Sequence, residues 1–183
     1  MLLVALCLES WLSMRVAKIE KNSVANGPGV RLVVWCQGCS IHCPGCHNKD
    51  TWDMFGGRDF TNDDIEEIIE YLNQDYVSGI TFSGGHPLEW YNIDYVICTI
   101  QEIRKRCPSK TIWLYTGFTL DYMDIFDEED SVGQCVGMCD VVVDGPYIEE
   151  QRNIALPYCG SSNQRVIDIA KTLENEYITL YEG

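Results

Sequence analysis

The sequence predicts an α/β fold, a partial, open (β/α) barrel of about five to six strand-helix units. Three observations predict it. Short β-branched apolar runs alternate with segments whose apolar residues fall at helical spacing. Several of those runs end in glycine-bearing turns: SGG, LYTG and VVDG. The chain, at 183 residues and 20.8 kDa, is long enough for one domain with a real core and too short for two comfortable ones. A strand count of five or six falls short of a closed eight-unit barrel.

Each element has its own justification. After NSVANGPGV, whose Gly and Pro mark a turn, RLVVW reads as a buried strand. TNDDIEEIIEYLNQ reads as a helix, with Thr61 as N-cap, acids in the first turn, and Ile65, Ile68, Ile69 and Leu72 on one face. GITFSGG is a second strand, NIDYVICTIQEIRKRC a second helix closed by Pro108, and KTIWLYTG a third strand. TLDYMDIF reads as a short helix. CDVVVDG is a fourth strand whose valine run predicts burial on both faces. In the tail, NQRVIDI reads as a strand, AKTLE as one helical turn and YITLY as a last strand. Residues 1–13, MLLVALCLESWLS, lack the basic start and small-residue cleavage site of a signal peptide. They are expected to be an N-terminal extension, with residues 14–183 forming the single domain.

Composition narrows the function classes. The net charge of -15 argues against a nucleic-acid backbone as partner, since that needs clustered Lys and Arg. No apolar run approaches the roughly 18 residues that span a bilayer, so no membrane association is expected. Of ten cysteines, four crowd into WCQGCSIHCPGC and six are scattered, which suits metal ligation in a reducing, cytoplasmic setting better than a disulfide framework.

The cluster begins where a strand ends, and in such folds reactive groups collect at the carboxyl ends of strands. From Cys36 its spacing is C-x2-C-x3-C-x2-C; from Cys39 it is C-x3-C-x2-C with Cys36 left over. Two CxxC pairs could clasp a zinc ion, although zinc ribbons separate their pairs by a longer loop. A closed four-thiolate [4Fe-4S] relay would use a different spacing. With Cys39, Cys43 and Cys46 as the only protein ligands, one iron would keep an open position for a substrate or cosubstrate. Cys36 reads as a small core residue of the strand.

C-x3-C-x2-C after the first strand, with an SGG turn after the second, resembles the radical S-adenosylmethionine (SAM) superfamily. GCSIHCPGCHNKDTW, TFSGGHPL, IWLYTGF, DVVVDGPY and GSSNQRVID, in this order, are similar to the anaerobic ribonucleoside-triphosphate reductase activating proteins, from about Met14 to Ile169. The resemblance implies a barrel of radical SAM type and a [4Fe-4S] cluster on Cys39, Cys43 and Cys46, with SAM chelating the fourth iron. It implies that reductive cleavage of SAM gives a 5'-deoxyadenosyl radical, which takes hydrogen from a glycine of the reductase. A reduced flavodoxin- or ferredoxin-like protein would donate the electron. Gly45, Cys46 and His47 match positions against SAM, with His47 where relatives often carry tyrosine. Ser83, Gly84 and Gly85 match the turn that receives the methionine amine, and His86 replaces the acid that usually follows it. Trp52 reads as a lid over the cluster or as a core residue, with the core the preferred reading. Asp144 is placed to meet the cofactor ribose or to cap the next turn, and Asn163 and Gln164 belong to the family's late motif. Two rivals remain on the residues alone: a pyruvate formate-lyase type activase, and a non-catalytic iron-sulfur relay, which would leave the SGG turn without a role.

Overall fold

A computed structural model describes residues 14–123, 125–127 and 129–183; the expected extension at 1–13 lies outside them. Its centre is one seven-stranded sheet with the order β3-β1-β2-β4-β5-β6-β7. The strands are β1 (Arg15–Ser23), β2 (Val30–Cys36), β3 (Arg58–Asp59), β4 (Val77–Gly84), β5 (Thr111–Tyr115), β6 (Val141–Asp144) and β7 (Arg165–Asp168). The helices are α1 (Asn62–Leu72), α2 (Ile93–Arg106), α3 (Ser131–Gly137) and α4 (Ile169–Asn175). Among the described residues no helix is long and apolar enough to cross a membrane.

The α/β class and the open sheet match the expectation, whereas the unit count does not. Only β2, β4, β5 and β6 pair in parallel; β1 pairs antiparallel with both β2 and β3 on one side, and β7 antiparallel with β6 on the other. Three parallel steps, carried across by α1, α2 and α3, therefore replace the five to six strand-helix units read from the sequence. β1 escaped notice because its charged residues blur the alternation, leaving few of its side chains fully buried. Among the described residues of TLDYMDIF the helical part is one 3-10 turn, Leu120–Tyr122, whose first N–H, that of Leu120, donates to Asp144 at 3.0 Å. YITLY contributes one isolated bridge, Leu180 to Ile167, instead of a strand. α3 was not legible, since SVGQCVG has little periodicity; the Asp130 carboxylate starts it by accepting from Val132 N and Gly133 N.

The alternation of side chains along each parallel strand builds two different faces. Leu32, Val34 and Cys36 of β2, Ile80 and Phe82 of β4, Ile112 and Leu114 of β5, and Val142 of β6 point into the main core. There they meet Ile65, Ile68, Ile69 and Leu72 of α1 and Val96, Ile100 and Ile103 of α2. α1 starts as expected: Thr61 N and Oγ1 both donate to the Asp64 carboxylate, at 2.8 and 3.1 Å, and Arg58 grips the same carboxylate with two bonds. Three basic residues in the last turn of α2 complement its dipole.

The opposite face is smaller and partly polar. Val141 and Val143 pack there with Trp113, Tyr115, Tyr158 and Tyr181, so the β6 valine run is buried on both sides as expected. Arg31 lies on this face fully buried. Its guanidinium donates to Thr81 Oγ1 at 2.8 Å, Thr111 Oγ1 at 2.8 Å, Ile80 O at 2.6 Å and Thr111 O at 2.9 Å, and sits 5.5 Å from the Trp113 ring. Burial lowers its pKa to about 10, so it stays charged at neutral pH. The planar fork ties β2, β4 and β5 together at the end of the sheet remote from the cysteines. A lysine has no such fork. Arg31→Lys is therefore expected to lower stability by at least about 2 kcal/mol, the cost of losing charged hydrogen bonds in a buried site, read as a fall in urea midpoint at unchanged slope. A change within about 0.5 kcal/mol would show that the fork is dispensable.

Candidate functional site

β2 ends at Cys36, and the chain then makes a loop that returns to itself. Gly38 N donates to Thr51 O at 2.8 Å and Cys39 N to Trp52 O at 3.1 Å, while the buried Gln37 side chain donates to Asp50 O and Asp53 O. The loop is also stitched to the end of β4: Gly85 N donates to Cys36 O and His86 N to Gly38 O, each at 2.8 Å. Asn92, at the start of α2, donates from Nδ2 to both Gln37 O and His86 O at 3.0 Å. A sixteen-residue excursion would otherwise be mobile; these bonds fix it over the carboxyl ends of β2 and β4.

The result is a cleft of about 130 Å³. Cys39, Cys43 and Cys46 line it together with Ser83, Gly84 and Gly85. Tyr115, Thr116 and Gly117 at the end of β5, with Gly145 and Tyr147 after β6 and Gln164 before β7, complete it. No lining side chain among the described residues carries a formal charge at neutral pH when the thiols are protonated. Gly84 takes φ +100°, and a side chain there would meet the Cys36 backbone N and O at 2.8 Å, so the turn can lie this close to the cysteine loop only as glycine.

The expected site residues divide into two groups. Cys39, Cys43, Cys46, Ser83, Gly84 and Gly85 share the cleft. Gly45 and His47 stand outside its lining. Gly45 has φ +73°, with the Glu149 carboxylate where a Cβ would project, and His47 is exposed and tilted against the Tyr147 ring at 5.4 Å. Cys36 points to the helix-packed face, and burial pushes its thiol up to about 12. It cannot join the other three without turning the strand over, as the period-two alternation places it on the far face.

Several secondary expectations change. Trp52 is half-buried on the cleft wall, stacked on His42 at 4.5 Å, and not in the core. Asp144 is buried, but its carboxylate is occupied by Leu120 N and by Arg165, whose Nε and Nη2 lie 3.0 and 2.5 Å away. Neither role read for it is the one seen: the carboxylate caps the 3-10 turn at Leu120, after β5, and not the turn that follows it in the chain. Gln164 and Asn163 clamp the turn after β6. Gln164 donates to Gly145 O and accepts from Gly160 N and Ser161 N, and Asn163 donates to Pro146 O at 2.7 Å. They leave two buried atoms without a partner, Tyr147 OH and Asn163 Oδ1.

His86 does not reach the cleft as the absent acid would. It is buried beneath it, edge-on to Phe118, with Nε2 2.7 Å from Thr116 Oγ1 and Nδ1 3.3 Å from Glu89 Oε1. Glu89, which the sequence reading missed, also accepts from Ser40 N at 2.7 Å and Ser40 Oγ at 2.6 Å. Its bond to the His86 ring, then those to Ser40, hold its carboxyl down at about 2. The signal was present in SGGHPLE: an acid three residues after His86, in a turn that must face the cysteine loop.

The donor set suits an iron-sulfur cluster. Burial pushes the Cys39 and Cys43 thiols up, yet backbone N–H groups of His42 and Ile41 pull Cys39 the other way, and that of Tyr147 does so for Cys43. Asn48 N donates to Cys46 Sγ at 3.3 Å. N–H groups aimed at sulfur are what cluster-bound thiolates use to spread their charge. Among the described residues no three Cys, His, Asp or Glu side chains converge where one metal ion could sit. A cubane does not require that, because each thiolate takes a different iron.

The chain matches the family described as 4Fe-4S single cluster domain over residues 25–167. It is 37% identical over 155 residues to the anaerobic ribonucleoside-triphosphate reductase-activating protein of Salmonella typhi, covering 84% of this chain and 97% of that protein. The protein of the same name from Escherichia coli K12 is 38% identical over 78% of this chain and 91% of its own length. That of Enterobacteria phage T4 is 33% identical, covering 84% and 93%. Among solved structures, QueE from Escherichia coli aligns over 58% of this chain and 53% of its own, with 13% identity and a TM-score of 0.43, too slight a likeness to bear on chemistry.

Replacing Asp144 by Asn should leave Arg165 without its buried partner and cost about 2 kcal/mol, below the usual buried-pair value because Arg165 is partly solvated. Thermal unfolding reads it, and an unchanged midpoint would show that the turn does not depend on the pair.

Proposed function

The chain belongs to the family of anaerobic ribonucleoside-triphosphate reductase-activating proteins, and from that premise we propose that it is the activase of such a reductase, working by radical SAM chemistry. The observation that carries the proposal is the pairing, in one cleft, of three cysteines with a glycine turn, while the fourth cysteine faces away. With Cys39, Cys43 and Cys46 as its protein ligands, a [4Fe-4S] cluster keeps one iron for SAM. Held by these residues, a reduced [4Fe-4S] cluster would supply one electron to the sulfonium of SAM, whose carbon–sulfur bond would break to give methionine and a 5'-deoxyadenosyl radical; that radical would take a hydrogen atom from a glycine of the reductase and leave as 5'-deoxyadenosine.

The chain's own residues serve this chemistry in separable ways. Backbone groups at Ser83, Gly84 and Gly85 receive the methionine end of SAM, a role that His86, pinned beneath the turn, does not share. Tyr147 OH, buried and without a partner, is a polar group aimed at a ligand, since burying such a hydroxyl unsatisfied is costly. Gly45 and His47, outside the cleft lining, would border the cofactor only from its outer side, beside Glu149 and Tyr147 respectively. Trp52 and His42 shield the cluster from water on the loop side. We read the seven-stranded sheet as a partial barrel of radical SAM type, with an open side that would admit a glycine-bearing loop of the partner. The single domain of residues 14–183 suffices for the activity, a small reduced flavodoxin- or ferredoxin-like protein supplies the electron, and the cytoplasm is the compartment. A closed four-cysteine relay is disfavoured by the orientation of Cys36.

Anaerobic incubation of the reconstituted protein with SAM, a reductant and the reductase is expected to produce a protein glycyl radical, read by electron paramagnetic resonance, with release of 5'-deoxyadenosine. Cys36→Ala should retain both products and Cys39→Ala should lose both. Deoxyadenosine without a glycyl radical would point to another radical SAM substrate. Retention by Cys39→Ala with loss by Cys36→Ala would overturn the ligand assignment.

A further inference from the structure

We propose that Glu89 is a positioning residue for the cluster, fixing the Cys39 arm of the cysteine loop through Ser40. The inference rests on Cys39 being a ligand, as read above, and on a connection that nothing in the cysteine motif itself requires. Ser40 follows Cys39 directly and is exposed, so solvent could satisfy both its polar groups. Instead both donate to one oxygen of Glu89, a residue only 6% exposed, at 2.7 and 2.6 Å. A carboxylate is costly to remove from water, and this one is compensated by those bonds and by His86.

The network extends across the floor of the cleft. A carboxylate can only accept, so in the neutral ring Nδ1 of His86 carries the proton toward Glu89 and Nε2 accepts from the Thr116 hydroxyl. Thr116 lines the cleft at the end of β5, and its Oγ1 also accepts from Phe118 N at 3.1 Å. Ser40, Glu89, His86 and Thr116 thus form a strut from the cysteine loop, through the turn after β4, to β5. The rest of the loop is anchored otherwise. Gln37 and Asn92 hold its start, and Asn48 N contacts the Cys46 sulfur, so the effect of Glu89 falls on Cys39 and spares Cys43 and Cys46.

That selectivity is the test, and it needs no activity. Cluster-free protein is alkylated anaerobically with iodoacetamide, and each cysteine is followed by peptide mass spectrometry. In Glu89→Ala, Cys39 is expected to react about tenfold faster than in wild type, the equilibrium equivalent of one hydrogen bond of ordinary strength, while Cys43 and Cys46 stay within about twofold. Glu89→Gln, which still offers an oxygen to Ser40, should return Cys39 to within about threefold of wild type. Ser40→Ala, an exposed loop change that leaves the fold intact, should give a smaller rise, again confined to Cys39. No rise at Cys39 in either alanine variant, an equal rise at all three cysteines, or a glutamine variant as reactive as alanine would overturn the proposal. In reconstituted protein, Glu89→Ala should lose iron to a chelator faster than wild type, with the glutamine variant close to wild type. Wild type that takes up no cluster would refute the proposed function, and the alkylation pattern would still decide the role of Glu89.

Discussion

The cysteine loop can be a site only because its backbone is tied to the end of the neighbouring parallel strand. Gly85 N reaches Cys36 O and His86 N reaches Gly38 O, so β2 and β4 continue to pair after their regular register has ended. Such an approach leaves no room for a Cβ at Gly84, and the glycine turn and the cysteine loop are consequently one construction. The shared lining of the cleft follows from it, with the three thiols and the Ser83–Gly85 turn in one cavity. Parallel pairing supplies the geometry, since it brings the carboxyl ends of β2, β4, β5 and β6 to the same edge.

Polar groups buried around this edge fall into two kinds. Asp144, Gln164 and Glu89 are saturated or nearly so, and each holds a backbone segment in place. Tyr147 OH and Asn163 Oδ1 are buried without partners, and they lie on the turn after β6 and the segment before β7 that close the cleft. Satisfied groups build the scaffold, and unsatisfied ones are where a ligand gains most by binding. The apolar face of the sheet, packed by α1 and α2, keeps the strands fixed.

How much of this was legible depended on how local the signal was. Strands β2, β4, β5 and β6, helices α1 and α2, and the shared cleft of Cys39, Cys43, Cys46 and Ser83 to Gly85 all follow from short patterns of periodicity or spacing. β1 and α3 did not, because a strand with charged residues on both faces and a short glycine-containing helix are fixed by tertiary contacts and a cap. His86 and Glu89 show the same limit within the site. The sequence put a histidine where an acid was expected, and only the fold shows that the ring turns down to Thr116 while an acid three residues later braces the cysteine loop. Asp144 was placed on the right edge, and only the position of Arg165, more than twenty residues away, shows which way its carboxylate is used.

The central claim is that three cysteines, with Cys36 turned away, leave one iron of a [4Fe-4S] cluster open to a cosubstrate. Its most direct test is the electron paramagnetic resonance spectrum of the anaerobically reconstituted and reduced protein, recorded with and without SAM. A reduced [4Fe-4S] signal that shifts when SAM is added is the expected result. A cluster signal indifferent to SAM would contradict it and make a closed four-thiolate site the better description.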